Sequence, residues 1–310
     1  MWKKILSSKI LRAILSLVLI YFAFRKVDVG HLVSELTLVP IWFIVGMLFY
    51  FSVSMFIGGI RWSFLVIEKP NFRDFWNFTR ATYLGGFYSL FFPTMVAGDM
   101  IKWLPLMEKY PGLSKTRLAA SVLIDRVVGF SAFTLIGFLA LMVGKMLNYQ
   151  FPEMLLWLFS GLAVGVIIFY ILVFTIDFDK IFFKLSEKFK LVSKLLEIVD
   201  LLKSGNKKRI LICFLISVVA EPIWMLPTWF YSLIFGVGIN LLQVYLFLPI
   251  ISLILVLPIS VAGFGARENL YLYFFGQLGF TDERILLVST FGGLMGILNS
   301  LVGGILLLVH

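Results

Sequence analysis

Leu257-Pro258-Ile259-Ser260-Val261-Ala262-Gly263-Phe264-Gly265-Ala266-Arg267-Glu268 places a turn-forming, charged segment between apolar runs near the C-terminal end of the chain. Proline removes a backbone donor and glycine admits backbone angles that other residues avoid, so a helix that reaches this stretch stops and has to restart. The core of the stretch occurs twice. Upstream, Phe92-Pro93-Thr94-Met95-Val96-Ala97-Gly98-Asp99 carries the same Pro-x-x-Val-Ala-Gly pattern, again behind an apolar run and ahead of charged residues. What surrounds these two breaks decides whether they are loops of a soluble protein or interruptions inside a membrane.

Composition answers for the membrane. Of the 310 residues 61% are hydrophobic and 14% charged, and the mean hydropathy is +1.01, whereas soluble domains carry about 25% charged residues. Spans and short connections use nearly the whole length, leaving no stretch for a soluble catalytic domain, so residues 1–310 read as one membrane domain. The net charge of +10 would suggest nucleic acid in a soluble protein. Here the Lys and Arg residues gather in connections between apolar runs, as the positive-inside rule and anionic lipid require, and nucleic acid is not an expected partner. Cys213 is the only cysteine, so no internal disulfide can form. The basic residues Lys3, Lys4, Lys9 and Arg12 precede an apolar stretch without a small-residue cleavage site, which reads as an uncleaved first span.

Seven runs have the character of spans: residues 5–24, 39–60, 118–144, 154–176, 210–235, 241–257 and 285–309. Arg61-Trp62 closes the second as a basic residue beside an interfacial aromatic. Asp125-Arg126 falls about two turns inside the third, and Glu221-Pro222 near the middle of the fifth. Residues 81–104, interrupted by Gly85-Gly86 and Pro93, and residues 258–280, whose apolar part is too short to cross, read as two re-entrant or broken elements. The fold class is therefore an all-α polytopic membrane protein with about seven transmembrane helices and two re-entrant elements. An N-terminal half (1–176) is joined by a basic amphipathic helix on the cytoplasmic surface (177–209) to a C-terminal half (210–310). The alternation of basic loops puts the N-terminus in the cytoplasm of a cell-membrane protein and, with seven spans, the C-terminus outside. Four identities in six residues leave an internal repeat open, parallel or inverted according to whether a broken element crosses.

The chemistry is bounded first by what is missing. His31 and His310 are the only histidines, so no His or Cys cluster suits zinc or haem, and no metal or cofactor is expected. Gly263-Phe264-Gly265 lacks a third glycine at nucleotide-loop spacing. What remains are charges in apolar surroundings: Asp99, Lys102, Asp125, Arg126, Glu221, Arg267 and Glu268. Such residues are costly unless paired or facing a cavity, and they mark either function or bundle-stabilising pairs such as Arg126 with Glu268 or Asp99. Helix breaks at Pro93, Gly98, Pro258, Gly263 and Gly265 expose backbone N–H groups that favour an anion, and Arg grips phosphate bidentately. A lipid phosphate held by Arg126, Arg267 and Lys102, with Asp99, Asp125 and Glu268 as positioning carboxylates, is the expected ligand. Glu221 is either a proton-coupling group or a lone protonated carboxyl. Gly292, Gly296, Ser300 and Gly304 recur every fourth residue as a smooth packing face.

Gly59-Ile60-Arg61-Trp62, Pro93 to Asp99, Ser121-Val122-Leu123-Ile124-Asp125-Arg126 and Leu257 to Glu268 together resemble the transmembrane, flippase-like region of lysylphosphatidylglycerol synthases. The resemblance runs over nearly the whole chain, and Leu-Pro-Ile-Ser-x-Ala-Gly-x-Gly-x-Arg-Glu is its most specific part. Where the family often has Gly-Gly-Asp with an Arg three residues on, this chain has Ala97-Gly98-Asp99 and Lys102, which keeps the cation but not its fork. None of the 310 residues is expected to form the soluble aminoacyl-transfer domain of the full synthases. The resemblance implies lipid translocation without lipid modification: a translocase, not an enzyme, for a phospholipid or a glycosylated polyprenyl phosphate. The competing readings are a membrane transferase using Asp99 or Glu268 as base, and a non-catalytic partner of a glycosyltransferase or synthase. Homo-oligomerisation stays open.

Overall fold

A computed structural model describes residues 9–25, 27–91, 98, 101–176, 207–257, 260 and 263–308. The described residues form helices and connections, with no strand among them. In chain order the helices are α1 (Lys9–Phe24), α2 (Val29–Thr37), α3 (Ile41–Val66), α4 (Phe72–Ser89), α5 (Leu104–Lys109), α6 (Lys115–Met146), α7 (Glu153–Thr175), α8 (Lys207–Ile234), α9 (Leu241–Val256), α10 (Ala266–Gly276) and α11 (Asp282–Leu308). Five of them, α3, α6, α7, α8 and α11, are long and apolar enough to cross a membrane. The expected first and sixth spans are also helical, but α1 and α9 have only 16 described residues each. For α9, at 1.5 Å per residue, that is about 24 Å, short of a hydrocarbon core of about 30 Å. Pro93, Asp99, Pro258 and the expected basic helix, apart from its last residues at the start of α8, lie outside the described residues.

The chain divides into two compact units, each built from separated segments. One contains Met1–Met55, Thr82–Lys102 and Pro222–His310; the other contains Phe56–Ala81 and Trp103–Glu221.

In the second unit α6 and α7 form the longest packed pair. Ser114 caps α6 by accepting the Arg117 N–H at 3.1 Å, and Asn148, in the left-handed region at φ 57°, turns the chain after it. Trp62, Phe78, Leu106, Leu118 and Val122 make one core of this unit, and Ile124, Val128, Val173, Ile210 and Cys213 another.

The sequence reading closed the second span at residue 60. The structure carries α3 on to Val66 and takes Arg61-Trp62 into the helix. Trp62 is fully buried instead of interfacial, and its indole N–H donates to Ser121 Oγ at 2.9 Å. The extension has a physical cause: the next turn carries Arg61, the cation that pairs with Asp125 and Glu221.

In the first unit Phe43, Tyr231, Phe235 and Phe291 form an aromatic core with mostly edge-to-face contacts. Helix α8 runs through Pro222 and Pro227 without ending. Pro227 has no N–H to give the carbonyl of Ile223, and the Tyr50 hydroxyl of α3 donates to that oxygen instead, at 2.6 Å. Gly85-Gly86 does not break α4 either, because a glycine inside a helix costs only about 1 kcal/mol and the break waits until after Ser89. Instead, the missing side chains let the chain fold back: Gly98 packs against the Gly85 carbonyl and Ser89, and a side chain at Gly85 would meet Lys102.

The expected glycine stripe of α11 is packed at both ends and open at Gly296. A Cβ at Gly304 would strike the Phe87 ring, and one at the neighbouring Gly303 the Tyr83 carbonyl, so α4 and α11 touch there through their backbones. At the other end a Cβ at Gly292 would lie 3.3 Å from the Tyr231 ring; Gly296 faces open space, and Gly293, outside the stripe, packs on Arg267.

Candidate functional site

The second unit holds a buried polar cluster built around a residue that the sequence reading left at a span end. Arg61, 14% exposed by side chain, grips Asp125 of α6 with its fork, Nε to Oδ1 at 2.7 Å and Nη2 to Oδ2 at 3.2 Å. Its Nη1 donates to Glu221 Oε1 and to Ser217 Oγ of α8, each at 3.2 Å. Three helices are thus tied by one guanidinium in a region where isolated charge is costly, and the bidentate geometry is what Arg offers over Lys. Glu221 is therefore not the lone carboxyl of the sequence reading.

The backbone is shaped to the cluster: a Cβ added at Gly129 would lie 3.3 Å from the Arg61 guanidinium and 3.4 Å from Glu221. Arg126, next to Asp125 on α6, interacts electrostatically with both Arg61 and Glu221.

Arg126 also looks outward. It is exposed and lines a groove of about 480 Å³ between α6 and α7, whose other walls include Val127, Phe130, Leu162, Val166 and Phe169. From Arg117 to Arg126 the helix rises about 13 Å. The guanidinium accordingly stands within a long apolar helix, at the end of a channel otherwise walled almost entirely by hydrocarbon. Such a channel accepts an acyl chain, and such a cation an anionic headgroup.

The first unit contains Gly263 to Glu268. Gly263 and Gly265 hold φ 80° and 77°, left-handed values that suit glycine, and the chain then enters α10. Eleven residues give α10 a length of about 16 Å, so it is a half-helix; it packs on α1, α9 and α11. The sequence reading left its N-terminus open to an external anion. The structure fills that place from within the chain. Glu268, 2% exposed, accepts the Gly265 N–H at 2.6 Å and the Arg267 guanidinium through Nη2 at 2.7 Å and Nε at 3.2 Å. Arg267 lies over the Phe264 ring, 5.2 Å from its centroid, and against α11 where a side chain at Gly293 would collide with it. Lys102, 4% exposed, is buried beside Gly85.

The sequence-derived residues therefore fall into three groups. Asp125 and Glu221 are brought together through Arg61, with Arg126 beside them; Arg267 and Glu268 close on each other; Gly98 and Lys102 meet at Gly85. The first group belongs to one compact unit and the other two to the other unit. Arg61 is the participant that the sequence reading missed, although an apolar run of 26 residues containing a single charge carried the signal. No cluster of three or more His, Cys, Asp or Glu side chains is placed to hold a metal ion among the described residues.

Comparison with known proteins gives a family. The lysylphosphatidylglycerol synthase TM region matches residues 9–303 of the chain, a span that includes Arg61, Asp125, Arg126, Glu221, Arg267 and Glu268. No curated protein and no solved structure matches. With several helices of membrane-crossing length and a match across almost its whole extent, the chain is a multi-pass membrane protein of the lysylphosphatidylglycerol synthase TM region family.

Proposed function

We propose that the protein moves a phosphate-bearing lipid, a phospholipid or a lipid-linked glycan precursor, between the leaflets of the cell membrane, with its N-terminus in the cytoplasm, and does not modify the lipid chemically. The observation that carries this reading is Arg126 at the end of the α6–α7 groove. A cation inside an apolar helix and facing a hydrocarbon-walled channel is matched by a molecule with one phosphate and long chains. Family membership points the same way, since the family takes its name from enzymes of lipid synthesis.

In this reading Arg126 contacts the phosphate, while Arg61, Asp125 and Glu221 fix its surroundings. Glu221 shares Arg61 with Asp125 and is the residue we assign to proton coupling. Arg267 and Glu268 hold the half-helix rigid. Transferase chemistry with Glu268 as base has less support, because Glu268 is engaged by the Arg267 guanidinium and the Gly265 N–H; Asp99, the other candidate base, lies outside the described residues.

The test is scrambling of a fluorescent phospholipid in liposomes containing the purified protein. A charge-assisted hydrogen bond contributes about 1.5–3 kcal/mol, so Arg126→Ala is expected to slow translocation by about 10- to 100-fold, with Arg126→Lys in between. Translocation unchanged in Arg126→Ala would remove the phosphate role, and lipid turnover without translocation would favour the transferase. Under an imposed pH gradient, Glu221→Gln is expected to abolish any dependence of the rate on the gradient. A dependence retained in that variant would reject Glu221 as the coupling group.

A further inference from the structure

A second cavity of the Phe56–Ala81 and Trp103–Glu221 unit has the opposite character to the groove. It measures about 390 Å³ and is lined by Asn71, Arg73, Asp74 and Asn77 from the start of α4 and by Lys109 and Tyr110 from the end of α5. All six lining residues are polar.

Most of the polar groups are spoken for. The Tyr110 hydroxyl donates to Asp74 Oδ1 at 2.6 Å, and the Asn71 N–H donates to Asp74 Oδ2 at 2.9 Å, so both carboxylate oxygens are covered. Asn77 Nδ2 donates to Tyr110 Oη at 3.0 Å, and Lys109 Nζ to Asn77 Oδ1 at 2.9 Å. The cations are treated differently. Neither Arg73 nor Lys109 has a carboxylate partner among the described residues, and Arg80 stands close enough to act electrostatically on Lys109.

We propose that this cavity is a phosphate-recognition site separate from the groove, in which Arg73 and Lys109 bind the anion and the Asp74, Tyr110 and Asn77 chain holds the wall. Two cations, Arg73 and Lys109, stand beside one carboxylate, Asp74, whose oxygens are already engaged, and this is the feature that favours an anion. Partial burial first, and then Arg80 and Arg73, lower the Lys109 ammonium from its ordinary pKa; an anion between Arg73 and Lys109 opposes that repulsion. Tyr110 is pushed up to about 12, by burial first and by its bond to Asp74 next, and so remains a neutral donor that keeps the acid occupied. The cavity belongs to the connection between α3 and α6, where Arg73, Arg80 and Lys109 gather. The ligand chemistry, a phosphoryl group, has two sources: a phosphorylated lipid headgroup or a free phosphate compound.

Thermal unfolding of the purified protein, at constant ionic strength so that screening does not vary, separates them. Pyrophosphate is titrated into protein in neutral detergent. In parallel, phosphatidic acid is titrated in phosphatidylcholine vesicles containing the protein. Both are done in wild type and in Arg126→Ala, which removes the groove's contribution. A saturable rise of the midpoint is expected with at least one ligand, and the Arg73→Gln/Lys109→Gln double variant is expected to weaken it by about tenfold or more in both backgrounds. A rise with pyrophosphate alone assigns the site to a free phosphate compound, and a rise with phosphatidic acid alone to a headgroup. Because both substituted side chains are exposed, the unliganded midpoint reports that the variant is folded. The site is overturned if neither ligand shifts the midpoint at millimolar concentration, or if the double variant shifts like wild type.

Discussion

Arg61→Ala is expected to lower the stability of the protein by about 3–5 kcal/mol, the cost of breaking a buried ion pair from one side. The variant leaves Asp125, 4% exposed, and Glu221, 18% exposed by side chain, as two carboxylates without the guanidinium that joins them. Asp125 has almost no open surface, and Glu221 little. The loss should come from stranded charge, not from lost packing, and a companion variant separates the two. Arg61→Met with Asp125→Leu and Glu221→Leu removes all three charges, and replacing a buried charged group by apolar residues is neutral or stabilising by about 1–4 kcal/mol. Denaturant unfolding in detergent measures both. A triple variant as unstable as Arg61→Ala would mean that shape, not charge, is what Arg61 supplies. A single variant within about 0.5 kcal/mol of wild type would show that the cluster does not hold the unit together.

Glu268→Ala is expected to cost a similar amount, about 3–5 kcal/mol, through a different part of the molecule. Its carboxylate accepts from Gly265 at the left-handed turn and from Arg267, which is 12% exposed by side chain. Truncation strands a guanidinium and a backbone donor together. Glu268→Gln keeps an acceptor for the Gly265 N–H and gives up only the charge, so its loss should be about 1–3 kcal/mol. That ordering, Ala worse than Gln, is the signature of a side chain that both caps the half-helix and neutralises its neighbour. Equal losses would mean that the cap contributes nothing, and a stable Glu268→Ala would detach Arg267 from it altogether.

The difference between what could and could not be read in advance follows the range of each interaction. Helices announce themselves locally: the apolar run 118–144, despite Asp125-Arg126 inside it, lies within α6, 154–176 matches α7 within a residue, and Gly263-Phe264-Gly265 marks the entry to α10. The partner of a buried charge does not announce itself. Arg61 and Asp125 are 64 residues apart and Arg61 and Glu221 are 160 apart, so local hydropathy places Arg61 at an interface although the fold places it inside. Glu268 shows the converse error. Reading Gly-x-Gly as an open anion site was sound for the backbone, yet the carboxylate that fills it stood three residues away in the same motif. The α11 stripe is packed at Gly304 and at Gly292 but against different neighbours, Phe87 and Tyr231, with Gly296 open between them, because a period of four drifts around a helix of 3.6 residues per turn.

One contact inside the first unit bears on how this sequence can change over time. In a soluble helix the carbonyl released by a proline turns to solvent, and the proline can come or go by itself. Within hydrocarbon that exit is closed. The Ile223 oxygen is served by a hydroxyl from another helix, Tyr50, so positions 50 and 227 constitute one inherited character. A lineage that lost the tyrosine while keeping the proline would carry an orphaned carbonyl through the bilayer, and a lineage that lost the proline would free the tyrosine to vary.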